Sequence, residues 1–234
     1  MGINFSFLKF FDLVARQGAL GSPMMALGSQ EMGESSGLIE LFARENGYPN
    51  FLRDGRVASL FADRYGITEY NDCDVNGKAV IWLDLNHQLP ADLADRSATV
   101  LDGGTIEHIF DVAQALTNIH HMTKVGGTII HITPITWYDH GFYNFNPLLF
   151  RSVARANGYH RLAEAFYFQC DPFGRSRSPD PVLYFTYDGQ KELSISNEIN
   201  KISGLDFLPG RSLYLIASRK ETDTEFIVPY DIHP

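Results

Sequence analysis

The sequence predicts an α/β fold: an open, mostly parallel sheet with helices on both faces. Three observations predict it. Apolar runs of strand length alternate with amphipathic helical stretches along most of the chain. Four of the early turns fall on glycine or acid after such a run, at Gly28, Asp74, Asp84 and Asp102. In open parallel sheets the carboxyl ends of the strands present backbone and polar groups to a crevice where ligands bind. The chain has 234 residues, 44% hydrophobic and 20% charged, enough for one large domain with its own core.

Taken in order, Phe5 to Gln17 carries apolar residues around much of a helix, which Gly18 and Gly21 end. Met24 to Leu27 is a short first strand closing on Gly28. Glu34 to Asn46 shows helical spacing, with Leu38, Leu41 and Phe42 on one face, and ends at Gly47. Val57 to Tyr65 is a helix stopped by Gly66. Strands follow from about Ile67 to Cys73, from Ala79 to Leu83 and from Thr99 to Leu101, ending at Asp74, Asp84 and Asp102. From Ile106 to Thr123, apolar residues at 106, 109, 112, 113, 116 and 119 form one stripe, so one helix is expected. That helix carries Glu107 and His108 in its first turn, and Gly126-Gly127 cap it. Thr128 to Thr133 reads as a strand stopped by Pro134. Leu148 to Ala156 reads as a helix capped by Asn157-Gly158, and Ala163 to Gln169 and Ser212 to Ser218 read as strands. The region from about 171 to 210 fits the alternation poorly. It holds prolines 172, 179, 181 and 209 with Tyr184, Phe185 and Tyr187, and reads as an insertion, a lid or a partner surface. Residues 1–234 are expected to form a single domain.

Composition narrows the function classes. A net charge of -9 argues against a nucleic-acid-binding face. No apolar run approaches the ~20 residues of a membrane span. No basic region precedes an apolar core near the N-terminus, so a cytoplasmic location is expected. Met1-Gly2-Ile3-Asn4-Phe5-Ser6 fits an acylation pattern, but is read as a chance match before a core helix. Cys73 and Cys170 lie in apolar, strand-like surroundings and read as reduced core residues.

The first turn, Gly28-Ser29-Gln30-Glu31-Met32-Gly33, is neither G-x-G-x-x-G nor a P-loop, yet its single glycine permits close backbone approach to a ligand. Asp74 is placed to accept both hydroxyls of a ribose, and Asp84 to accept from an exocyclic amine. The competing reading for each is a turn aspartate bonding its own backbone, above all at Asp74-Val75-Asn76-Gly77.

Together these segments carry a resemblance. Ala26-Leu27-Gly28, Asp74, Trp82-Leu83-Asp84-Leu85-Asn86, Asp102-Gly103-Gly104-Thr105-Ile106-Glu107-His108, Val125-Gly126-Gly127-Thr128-Ile129-Ile130 and the tail Leu213 to Lys220 resemble a class I S-adenosylmethionine-dependent methyltransferase. The nearest likeness is to bacterial proteins of glycan or secondary-metabolite pathways, which carry a similar D-G-G-T-x-E-H and a similar His140-Gly141-Phe142-Tyr143-Asn144-Phe145-Asn146-Pro147. The resemblance covers roughly residues 22 to 220 and departs from the family in its first turn, reduced to one glycine. It implies a Rossmann-like sheet with an antiparallel last strand and S-adenosylmethionine as cofactor. Gly28, Ser29 and Gln30 would lie under the methionine part, Asp74 on the ribose, Asp84 and Leu85 on the adenine, and Asp102, Gly103 and Gly104 beneath the sulfonium.

Methyl transfer is an in-line displacement that needs alignment and, for some nucleophiles, a base. His108 and His140 are the candidate bases, with Glu107 beside the first and Tyr138 and Tyr143 to position an acceptor hydroxyl. A structural role for each histidine is the competing reading. His120, His121 and His131 lack metal-ligand spacing, and no metal is expected. The expected acceptor is a small molecule: a sugar, a nucleotide-sugar or a secondary metabolite. A homodimer stays open, and neither nucleic acid nor membrane is expected as a partner. Two other functions compete: a catalytically silent binding or assembly domain on the same scaffold, and a nicotinamide-dependent oxidoreductase, weakened by the absent G-x-G-x-x-G.

Overall fold

In a computed structural model of the chain, the described residues are 2–33, 36–173, 181–202 and 211–230. The strand β1 (Met24–Leu27) is central. It pairs in parallel with β2 (Tyr70–Asp74) and with β4 (Ser97–Asp102). On one side β2 pairs in parallel with β3 (Ile81–Trp82); on the other, β4 pairs in parallel with β5 (Thr123–Thr136). Beyond β5 lie β6 (Tyr159–Phe168), β7 (Val182–Tyr187) and β8 (Ser212–Lys220), and the sheet order is β3-β2-β1-β4-β5-β8-β6-β7. The last strand runs antiparallel between β5 and β6, and β7 runs antiparallel to β6. This is the expected Rossmann-like sheet of class I methyltransferase type, mostly parallel, with its last strand reversed.

Both faces are covered. All four residues of β1 are buried, and successive side chains alternate between two cores. Met24 joins a core built by α1 (Phe5–Arg16), α2 (Ser36–Asn46), α3 (Pro49–Asp54) and α4 (Val57–Tyr65), with Phe7, Phe10, Phe11 and Phe61 at its centre. Met25 and Leu27 join the opposite core, built by α5 (Val112–Met122) and α6 (Pro147–Ala156). A last helix, α7 (Ile195–Ile202), follows β7. Local chemistry fixes the helix starts: the Asn4 side chain accepts from the Phe7 amide at 3.1 Å, and Asn146 caps α6 ahead of Pro147.

Several elements differ from their sequence expectation. The stripe from Ile106 to Thr123 is two elements. Ile106–His108 is a single 3₁₀ turn, the chain extends at Ile109, and α5 begins at Val112. Two aspartates cause the break. Asp102 Oδ1 accepts from the Thr105 and Ile106 amides at 3.1 and 3.3 Å, and the Asp111 side chain caps α5 by accepting from Gln114 N at 2.9 Å. Gly126 and Gly127 belong to β5 and do not cap α5, which ends directly into Thr123. Nor does Pro134 stop β5, which runs on to Thr136 across a register shift at Pro134, where a missing N–H is tolerated.

The α2 face that enters the core is Ile39 and Ala43, whereas Leu38 and Leu41 are exposed. Both cysteines are free thiols, but only Cys73 is buried; Cys170 is exposed. The short α3 was not foreseen, although Pro49 at its start and left-handed Gly55 (φ 67°) at its end are recognisable signals. The expected insertion contains β7, which extends the sheet, and α7. Its residues 174–180 and 203–210, like Glu34, lie outside the described residues.

Candidate active site

Parallel pairing brings the carboxyl ends of β1, β2 and β4 side by side. Gly28, at φ 72°, turns the chain out of β1, and its amide donates to Cys73 O at 2.8 Å. The β1 carbonyl of Leu27 accepts from Thr105 Oγ1 at 2.6 Å and from Gln30 Nε2 at 2.9 Å, so the first turn and the turn after β4 are tied through one oxygen. Gln30 lies across Gly103: a Cβ at Gly103 would meet Gln30 Cδ at 2.8 Å. Ser29 Oγ and Gln30 Oε1 are buried here without hydrogen-bond partners.

Asp74 accepts from Asn76 N at 3.1 Å, from Asn76 Nδ2 at 2.8 Å and weakly from Ser29 N at 3.4 Å. Asp84 accepts from Asn86 N and Asn86 Nδ2, both at 2.9 Å, and its Oδ2 lies 3.1 Å from His87 Nδ1. These bonds hold the Asp84 carboxyl below the usual range, the Asn86 amide contributing most. Both aspartates thus make the turn contacts of the competing reading, while each keeps solvent-facing surface. Leu85 is buried in the second core. Asp102 is fully buried; besides its two amide bonds, its Oδ2 lies 2.9 Å from His131 Nδ1. Gly104 follows at φ 83°.

The 3₁₀ turn after β4 gathers residues that are far apart in sequence. Glu107, on the 3₁₀ turn, is fully buried, and both its carboxylate oxygens lack partners. Its Oε1 lies 3.9 Å from His108 Nε2 and 3.6 Å from His140 Nε2. The His108 and His140 rings meet edge to face at 4.8 Å, and His140 stacks on Trp137 at 3.6 Å, with the Arg211 guanidinium over the Trp137 ring at 4.5 Å. Burial, with the Asp102 charge adding to it, pushes the Glu107 carboxyl up to about 8. Burial lowers the pKa of His108; burial, His108 and Arg211 lower that of His140.

The loop bearing His140 is pinned to the 3₁₀ turn, because Glu107 O accepts from Phe142 N at 2.7 Å and from Tyr143 N at 3.3 Å. Gly141 makes this approach feasible. It sits at φ 75°, and a Cβ there would meet Glu107 O at 2.7 Å. The Tyr143 hydroxyl donates to Phe110 O at 2.8 Å and so braces the loop. Phe110 and Phe142 pack edge to face at 5.9 Å, and both are exposed beside the cluster with Tyr138.

Glu107, His108 and His140 are therefore brought together, and Gly28, Ser29, Gln30, Gly103 and Gly104 meet at the strand ends. Asp102 and Leu85 are placed in buried structure. Sequence reasoning missed Thr105 and the Asp102–His131 pair. Only the latter left a trace, since an acid ending one strand and a histidine within the next fall side by side in register.

No family model and no curated protein matches the chain. Among solved structures it is similar to a SAM-dependent methyltransferase from Archaeoglobus fulgidus, at 14% identity and TM-score 0.48, covering 92% of this chain and 94% of that one. A SAM-dependent methyltransferase from Thermotoga maritima gives the same identity and TM-score, over 92% and 90%. The 1,6-didemethyltoxoflavin-N1-methyltransferase of Burkholderia thailandensis gives 12% identity and TM-score 0.43, over 91% and 76%. The fold assignment rests on the sheet order and strand directions given above.

Proposed function

We propose that the chain is an enzyme that transfers a methyl group from S-adenosylmethionine to a small acceptor such as a sugar, a nucleotide-sugar or a secondary metabolite. One observation carries the reading: two groups of polar residues lie beyond the carboxyl ends of the neighbouring parallel strands β1, β2, β3 and β4. One is the Gly28 turn with Asp74 and Asp84; the other is Glu107 with His108 and His140. The buried, partnerless Ser29 Oγ and Gln30 Oε1 are the groups a polar ligand would satisfy.

When bound, S-adenosylmethionine supplies a methyl group on a positively charged sulfur. In this reading Asp74 accepts the ribose hydroxyls and Asp84 the adenine amine. Ser29, Gln30, Gly103 and Gly104 bound the space between. Gln30 shares that space with the ligand and rotates off Gly103 to admit it. Asp102 acts one layer down, holding the turn that carries Glu107. On the acceptor side Glu107, His108 and His140 orient the acceptor, Phe110 and Phe142 offer an apolar edge, and Tyr143 holds the loop.

Calorimetry with S-adenosylmethionine and S-adenosylhomocysteine tests the proposal. Binding is expected, and Asp84→Ala should weaken it about 10- to 100-fold, the worth of a charge-assisted bond. His108→Ala should leave it unchanged while lowering methyl transfer. No heat and no thermal shift at millimolar ligand would overturn the proposal. The position of Gln30 over Gly103 favours the second reading, a silent binding domain, and that result would select it. Binding of a nicotinamide nucleotide instead would select an oxidoreductase.

A further inference from the structure

The Glu107 cluster has a geometry that proton transfer does not explain. Glu107 is fully buried with both oxygens unsatisfied, and His140 Nε2 is buried and unsatisfied as well. A buried polar atom without a partner is costly and is found where something else completes it. The separations of 3.6 and 3.9 Å are too wide for direct hydrogen bonds. One ligand atom from each of Glu107, His108 and His140 lies within 4.8 Å of the other two. Ligands about 2.1 Å from a shared tetrahedral centre stand about 3.4 Å apart. Three atoms hydrogen-bonded to a shared water at about 2.8 Å would stand about 4.6 Å apart. The two Glu107 separations are nearer the first value.

We propose that Glu107, His108 and His140 bind one divalent transition-metal cation. Two imidazoles and one carboxylate suit a borderline ion such as zinc, cobalt(II) or iron(II), and suit calcium or magnesium poorly. The site is built to receive it. Stacking on Trp137 and the edge contact with His108 fix the His140 ring, and the two amides on Glu107 O fix the turn below. His108 is half exposed, so the ion enters from solvent and keeps open positions. This departs from the expectation of a metal-free site, which rested on the spacing of His120, His121 and His131. On the methyl-transfer reading above, the open positions take the acceptor oxygen and lower its pKa. The ion site itself does not need that reading.

The test is titration of the intact apo-protein with Zn²⁺ alone, by calorimetry, with Co²⁺ absorption as the signature of nitrogen and oxygen ligation. One ion per chain is expected, at micromolar affinity or tighter. Glu107→Gln, which keeps the shape of the side chain, should weaken it at least 100-fold, and His108→Ala at least 10-fold. His121→Ala is the control for the exposed His121–Glu225 pair and should change nothing. No binding by the wild type, or unchanged binding by both Glu107→Gln and His108→Ala, would overturn the proposal. S-adenosylmethionine titrated into Glu107→Gln separates the two proposals. Cofactor binding without zinc binding is expected of that variant, whereas failure of both ligands on the wild type rejects both.

Discussion

At the scale of single residues, the most constrained polar groups lie away from the candidate site, at the end of α5. His120 is fully buried, with Nδ1 2.6 Å from the Tyr159 hydroxyl and Nε2 2.6 Å from Thr224 O. A carbonyl only accepts, so Nε2 carries the proton and the phenol donates to Nδ1. That network fits the neutral ring, and burial lowers the His120 pKa. The native state therefore binds fewer protons than the unfolded chain, and the stabilisation is fully present above the unfolded histidine pKa near 6.5 and is lost progressively as pH falls from there through the lowered native pKa. Urea unfolding should show stability falling below about pH 6.5, and His120→Gln should flatten that limb; an unchanged slope would refute the assignment.

Beside it, buried Lys220 donates through Nζ to His120 O at 3.1 Å and to Thr123 O at 2.9 Å, placing a cation on the carbonyl end of α5. Lys220→Met leaves those carbonyls unpaired. It should cost about 2–3 kcal/mol in urea unfolding, and a change under about 0.5 kcal/mol would remove Lys220 from this role.

At the scale of elements, the break between the 3₁₀ turn and α5 decides what the candidate site contains. In a continuous helix Glu107 and His108 would point about 100° apart. Instead the turn stands on its own, clamped below by Asp102 and above by the 137–145 loop. Gly141 is the contact point of that clamp. Gly141→Ala should push the loop off Glu107, separate His140 from the carboxylate and weaken zinc binding at least 10-fold. Zinc calorimetry checks this, and unchanged affinity would show that the loop can yield at that contact. Asp111→Ala, which removes the α5 cap, should cost about 1 kcal/mol of stability in urea unfolding, and no loss would mean water replaces the cap.

At the scale of the molecule, cofactor binding reports on the whole fold. Ligand at about 100 times its Kd adds about 2.7 kcal/mol, so S-adenosylmethionine should raise the melting temperature by roughly 5–10 °C. No shift would leave a domain with the sheet but without the ligand.

Much of this architecture was legible in the sequence. Met24 to Leu27, Val57 to Tyr65 and the strands ending at Asp74 and Asp102 are local signals, and the structure keeps them, whereas the expected strand from Ala79 shrinks to Ile81–Trp82 and stops short of Asp84. The 106–123 segment misled because apolar periodicity ignores the two aspartates that compete for its amides. Leu38 and Leu41 misled because a short helix offers more than one apolar stripe, and packing against the sheet chooses between them. The site was half legible. Residues next to strand ends could be named from position, but the meeting of Glu107 with His140 depends on a loop returning across the sheet, which no spacing encodes.

The place of β8 has a consequence for how the protein is made. It is the last strand among the described residues, yet it lies between β5 and β6, which share no direct pairing. During synthesis β5 and β6 each present an unpaired edge until Ser212–Lys220 has left the ribosome, and such edges invite pairing with other chains. Nascent chains stalled before residue 212 should therefore be protease-sensitive and retained by chaperones, while chains extended past 220 and clear of the exit tunnel should resist digestion.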